Sequence, residues 1–130
     1  MSEPEFLDVE HVLALHRRQL ARFGGADGVR DRGLLESATA QAQMSFGEEF
    51  VHDGLYAMAA AYLFHLVRNH PFVDGNKRVG LLSALTFLAL NGVAMPRGAA
   101  ALYELTMGVA QGLIDKPQVA AELERIANAR

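Results

Sequence analysis

Apolar residues recur at three- and four-residue spacings along most of this chain, and no stretch alternates strictly between apolar and polar over five or more positions. The first pattern belongs to helices that bury one face; the lack of the second leaves room for no more sheet than a small hairpin. Asp8 can cap a first helix whose positions Val9, Val12, Leu13, Leu20 and Phe23 share a face, and Gly24-Gly25 ends it. Gly24 to Gly33 is rich in glycine and aspartate and reads as a loop. Asp31 can cap a short second helix carrying Leu34, Leu35 and Ala38. Ser45 to Asp53 reads as an irregular link, with Asp53 the expected cap of a third helix through Tyr56, Ala59, Ala60, Leu63 and Val67. Pro71 disfavours helical geometry at His70, so this helix is expected to finish near Asn69.

A fourth helix should run from near Asn76 to about Leu90; it is apolar nearly all round and is expected to be the central helix. Asn91-Gly92 stops it, and Val93 to Pro96 reads as a brief extended piece. A fifth helix covers roughly Ala99 to Gln111, with Leu102, Leu105, Met107 and Val109 as apolar positions. A last one starts near Pro117, which suits a first helical turn, and runs toward Ala127. The pattern predicts an all-α fold, a compact bundle of about six helices with the segment between helices three and four as a connecting loop.

A chain of 130 residues predicts a single domain over 1–130, with a core that needs no covalent staples. Hydrophobic residues make up 51% and charged residues 21%, an ordinary globular balance. Net charge is −3 with basic residues dispersed, which argues against direct binding of nucleic acid. The absence of cysteine excludes disulfides and thiolate chemistry and suits a cytoplasmic protein. The segment Met1-Ser2-Glu3-Pro4-Glu5-Phe6 is acidic and polar, unlike a secretory signal. The longest apolar run, Val79 to Leu90, contains Ser83 and Thr86 and falls short of the roughly 20 residues a membrane span needs. No membrane partner is expected.

Candidate chemistry concentrates in His70-Pro71-Phe72-Val73-Asp74-Gly75-Asn76-Lys77-Arg78, between two strongly apolar helices. Buried, so many polar groups would leave donors and charges unpaired; a cleft where they face a ligand resolves this. Gly75 permits a tight bend and close approach. The amides near Asn76 to Arg78 begin a helix, lack intrahelical acceptors, and lie where the helix dipole favours an anion. Arg78 adds a forked donor suited to phosphate. Asp74 beside an anion site would repel phosphate unless a cation lay between, and Mg²⁺ uses one or two carboxylates together with phosphate oxygens. His70 can accept a proton near neutrality. Together these residues match phosphoryl or nucleotidyl transfer. Taken singly, His70 reads as a structural histidine at a helix end, Asp74 as a turn or cap residue, and Arg78 as a solvated or ion-paired side chain. Their concentration in nine residues changes the reading. Phe72 reads as a core anchor for the loop. His11, His16, His52 and His65 show no metal-ligand spacing, and His65 reads as core or as support behind the loop.

This segment resembles the active-site motif of the Fic/Doc superfamily, His-x-Phe-x-(Asp/Glu)-Gly-Asn-(Gly/Lys)-Arg. Phe6-Leu7, the stretch Gly28-Val29-Arg30-Asp31-Arg32-Gly33-Leu34-Leu35-Glu36-Ser37-Ala38 and the helix end Phe87-Leu88-Ala89-Leu90-Asn91-Gly92 are similar to the compact death-on-curing (Doc) branch, so the resemblance covers most of the chain. It implies that His70 is the general base and that Asp74 holds Mg²⁺. It implies that Asn76 and Arg78 bind phosphates, with the Gly75 to Lys77 backbone forming the anion hole. It also implies that Gly28 to Ser37 forms a flap that positions the target peptide; residue by residue the stretch reads equally as a capped turn that starts a surface helix.

AMP-transferring members of the superfamily usually carry Gly at the position of Lys77 and a second Arg at the position of Leu81. Both differences resemble Doc, which implies transfer of the terminal phosphate of ATP; Gly75, where Doc has Ala, resembles the AMP-transferring members. The expected function is therefore a toxin of a type II toxin–antitoxin system, a kinase using ATP and Mg²⁺ on a Thr or Ser hydroxyl. By resemblance its target is elongation factor Tu and its effect is arrest of translation. The alternatives are AMP transfer to a protein hydroxyl, and a catalytically inactive member that binds nucleotide or a partner. The self-inhibitory pattern (Ser/Thr)-x-x-x-Glu-(Gly/Asn) fails here, because Phe50 follows Ser45 to Glu49. A cognate antitoxin in trans, Phd-like or another small protein, is the expected inhibitor.

Overall fold

A computed structural model describes residues 3–96 and 99–129, so Met1 and Ser2 of the acidic N-terminal segment lie outside the described residues. The described elements run in the order α1 (Val9–Phe23), α2 (Arg32–Ala40), a single 3₁₀ turn (Gln41–Gln43), β1 (Ser45–Phe46), β2 (Glu49–Phe50), α3 (Leu55–Asn69), α4 (Asn76–Leu90), α5 (Ala100–Ala110) and α6 (Lys116–Asn128). The all-α fold expected from the apolar spacing is what forms. Among the described residues, no helix is long and apolar enough to cross a membrane.

Local chemistry explains where most helices begin. The Asp8 carboxylate accepts from the His11 amide at 2.9 Å, and His11 Nδ1 accepts the Asp8 amide at 3.1 Å, a capping box with an imidazole as the returning acceptor. Asp31 accepts from the Leu34 amide at 3.0 Å. Asp115 and Gln118 form a second reciprocal box, which starts α6 at Lys116, one residue ahead of the position Pro117 suggested. Asp53 does not cap α3. Gly54, at φ 90°, turns the chain directly into the helix and offers no side chain to the first amides.

The most enclosed helix is α3 and not α4. It packs against α2, α4, α5 and α6, and buries Met58 through Leu63, Leu66 and Val67. On α4 Leu81, Leu82 and Leu85 are only half-buried and Leu90 is exposed, because α1, α3 and α5 cover it incompletely. The two helices approach closely at Gly80, where a Cβ would lie 2.8 Å from Val67 Cγ2 and 3.3 Å from the Leu63 carbonyl oxygen. The Tyr62 hydroxyl fastens the N-terminal segment to α3, donating to the Leu7 carbonyl at 3.1 Å and accepting the Leu7 amide at 2.8 Å. Burial raises this phenol to about 12.

The small antiparallel hairpin pairs Ser45 with Phe50 and Phe46 with Glu49. It precedes α3, and its Phe50 meets Phe6, which in turn stacks on Phe87 near the end of α4. That places it about 22 Å along α3 from the 70–75 loop.

Candidate active site

Pro71 stops α3 at Asn69, and His70 follows in the left-handed region at φ 51°, ψ 53°, the one non-glycine positive φ among the described residues. For an L-residue this conformation costs about 1–2 kcal/mol and needs support from outside. Arg30 supplies it across the fold. Its Nε donates to the His70 carbonyl at 2.7 Å and its Nη2 to the Asn69 carbonyl at 3.0 Å, so a guanidinium sits on the carbonyl end of α3, where the helix dipole favours a cation. The backbone joins in. The Arg30 and Asp31 amides donate to the Pro71 carbonyl at 2.8 and 3.0 Å, and the Val73 amide donates to the Gly28 carbonyl at 3.0 Å. The beginning of the expected Gly28 to Ser37 flap is thus bonded to the loop between α3 and α4, and α2 follows immediately after it.

Phe72 anchors the loop as expected; it is 1% exposed. His16 lies over it, ring centroids 3.8 Å apart and planes within 11° of parallel. The Asn76 side chain closes the loop from the other end. Its Oδ1 accepts the Phe72 amide at 2.9 Å and its Nδ2 donates to the Phe72 carbonyl at 3.0 Å. A carboxamide turned end for end would set oxygen against oxygen and donor against donor, so Phe72 dictates its orientation. The second Nδ2 hydrogen then meets His70 Nδ1 at 2.8 Å; Nδ1 accepts, and the neutral ring carries its proton on Nε2. Both amide donors of the Asn76 side chain are engaged by the loop. What Asn76 can present to a phosphate is its backbone N–H.

The rest of the loop forms an open, polar surface. His70, Asp74, Lys77 and Arg78 are all exposed. Asp74 Oδ1 accepts the Gly75 amide at 2.8 Å and Oδ2 the Ala26 amide at 3.3 Å. These two amides, and then the Arg78 charge and His16, hold the carboxyl below the usual carboxylate range. Gly75, at φ 79°, is the N-cap of α4 without a capping side chain. The amides of Asn76, Lys77 and Arg78 open α4 and have no backbone acceptor, so they form a cup for negative charge at the positive end of the helix dipole. The Arg78 guanidinium carbon stands 4.4 Å from the centre of the half-exposed Phe23 ring, a cation–π contact that gives a flexible side chain a platform.

Asp74 suits Mg²⁺ in kind. Among the described residues there is no group of three or more His, Cys, Asp or Glu that could hold a metal, and one ionised, exposed carboxylate fits a cation that shares its remaining sites between phosphate oxygens and water. His65 is not part of this surface. Its Nε2 faces the Lys116 Nζ at 3.0 Å, and burial, then Lys116 and His52, lower it to about 4.

All six residues expected to do chemistry, His70, Asp74, Gly75, Asn76, Lys77 and Arg78, therefore meet around the loop and the first turn of α4. Three contributors were missed, His16, Phe23 and the Ala26 amide, and Arg30 was expected only as part of the Gly28 to Ser37 flap, not as the support of His70. His16 carried a signal, since it continues the buried Val12 and Leu15 face of α1 as a polar residue at an apolar position. The others become visible only when the 22–31 segment is placed beside the loop.

Residues 6–88 match the family model described as Fic/DOC family. The chain is 38% identical over 117 residues to "Protein kinase doc" of Escherichia phage P1, covering 90% of this chain and 91% of that protein. It is 44% identical over 91 residues to "Toxin Doc" of Mycolicibacterium smegmatis, covering 70% of this chain and 68% of that protein.

Proposed function

The chain belongs to the Fic/DOC family, on its Doc side, and from that premise we propose that it is a Doc-type toxin that moves the γ-phosphoryl group of ATP onto a Ser or Thr hydroxyl of a protein. The observation that carries this reading is the arrangement at the head of α4: three amides without acceptors, an ionised Asp74, a platformed Arg78 and an exposed His70 on one surface.

In the proposed reaction the target hydroxyl oxygen attacks the γ-phosphorus in line. The new O–P bond forms as the bond to the β-bridging oxygen breaks, and ADP leaves. His70 takes the hydroxyl proton. To do so at Nε2 the ring must adopt its other tautomer, which would turn Nδ1–H toward the Asn76 Nδ2 hydrogens. His70 therefore parts from the Asn76 amide when it acts, and its exposed position leaves room for that rotation. The amides of Asn76, Lys77 and Arg78, together with the Arg78 guanidinium, hold phosphate oxygens. Asp74 would hold Mg²⁺, which when bound neutralises charge on the phosphates.

The choice of the γ-phosphate is supported at two positions. Lys77 places a charged side chain at the second residue of α4, and Leu81 is packed against the core, so it supplies no second phosphate clamp. The proposed target is elongation factor Tu, with arrest of translation in the cytoplasm and a cognate antitoxin as inhibitor. Incubation of the protein and Mg²⁺ with ATP labelled at the γ or the α position, and purified elongation factor Tu, tests the reading. Label is expected from γ only. Label from α only would establish AMP transfer, and no transfer of either, with ATP still bound, would make this a non-catalytic family member.

A further inference from the structure

His16 is the one buried imidazole aimed at the catalytic loop, and the proposed chemistry gives it no task. It is 2% exposed, stacks on Phe72, and its Nε2 lies 2.8 Å from the Asp74 carbonyl oxygen. A carbonyl can only accept, so Nε2 carries the hydrogen. The position bonded is the one where the loop is least constrained by its own sterics. Gly75 sits at φ 79°, and a glycine tolerates either sign of φ, so the Asp74–Gly75 peptide could turn over without a side-chain clash. A trans peptide points its C=O and N–H in opposite directions. With the carbonyl drawn inward to His16, the Gly75 N–H must face outward, and there it donates to Asp74 Oδ1 at 2.8 Å. Turned over, the same peptide would present a partially negative oxygen to the surface meant for phosphate and would release the Asp74 carboxylate. A Cβ at position 75 would approach His16 Nε2 to 3.4 Å, so the two residues fit as a pair.

We propose that His16 is a positioning residue that selects the orientation of the Asp74–Gly75 peptide, keeping the amide and the carboxylate outward and the carbonyl inward. Its bearing on phosphate binding rests on the function proposed above; the orientation itself does not. His16→Phe keeps a ring over Phe72 and removes the donor, whereas His16→Gln keeps a donor at a similar reach. Three measurements test the idea. In the wild-type protein, ring ¹⁵N shifts should show Nε2 protonated. In nucleotide-free protein, the Gly75 amide proton should lose its carboxylate-bonded downfield shift in His16→Phe and recover it in His16→Gln. Calorimetric titration with ADP and Mg²⁺ should give at least about ten-fold weaker binding for His16→Phe, with recovery in His16→Gln. An Nδ1-protonated wild-type ring, or an unmoved Gly75 resonance in His16→Phe with affinity unchanged, overturns the proposal. If His16→Phe does not fold, the wild-type tautomer and the Gly75 resonance in His16→Gln decide it. If the wild-type protein binds no ADP with Mg²⁺, the proposed function fails while the Gly75 resonance still judges the role of His16.

Discussion

Asn76→Ala separates two views of the same residue. If Asn76 served only a phosphate, its removal would leave the ligand-free protein as stable as before or slightly more so, since sites built for ligands are commonly strained without them. The geometry says otherwise. The carboxamide satisfies both the amide and the carbonyl of buried Phe72, and no other residue of the loop replaces it. Each buried backbone group left unpaired costs about 1–3 kcal/mol, so the pair together cost about 2–6 kcal/mol, with water entering the vacated space setting the lower end. Alanine's better helix propensity offsets at most about 0.7 kcal/mol. The loss is a large share of the roughly 5–15 kcal/mol that holds a domain together. In urea, at a slope of about 2 kcal/mol per molar, the midpoint should fall by about 0.7–2.6 M with the slope unchanged. Far-UV circular dichroism across a urea series reads this directly, without nucleotide. An unmoved or raised midpoint would show that Asn76 does not hold the loop.

Two further outcomes follow from packing and protonation. Gly80→Ala would drive a methyl to 2.8 Å from Val67 Cγ2 and 3.3 Å from the Leu63 carbonyl oxygen, neither of which is the far end of a flexible chain. Overpacking of about 1–3 kcal/mol should exceed the roughly 1 kcal/mol that alanine gains in a helix and lower the melting temperature by a few degrees; a rise would contradict the close approach of α3 and α4. His65 is held down to about 4 in the folded protein, against 6.5 for a free imidazole, by burial first and then by Lys116 and His52. Between those two values the unfolded chain binds about one more proton, so stability should fall as pH drops from 6.5 toward 4 and be retained above 6.5. Urea midpoints at several pH values should fall less steeply for His65→Gln, and equal slopes would remove His65 as the cause.

The helices and the loop between α3 and α4 were legible because their determinants are local. Apolar spacing, Asp8 and Asp31 as caps, the stop imposed by Pro71 and the motif from His70 to Arg78 all lie within a few residues of what they determine. The errors share a different cause. Asp53 had the right chemistry for a cap, but Gly54 at φ 90° changed the geometry of entry, and no composition rule states which neighbour wins. The central place went to α3 because α2 and α6 both pack on it, a fact of topology and not of how apolar α4 is. The roles of Asn76, His16 and Arg30 turn on partners that are backbone groups. A carbonyl at Asn69 or Asp74 and an amide at Phe72 exist whatever the side chains are, so the letters of the sequence do not mark them. The motif thus names the groups proposed to meet phosphate, while their aim is set by contacts outside it. A relative that kept every motif residue but lost Arg30 and His16 would retain the formula of the site, yet not the left-handed turn at His70 or the inward carbonyl of Asp74 on which its geometry depends.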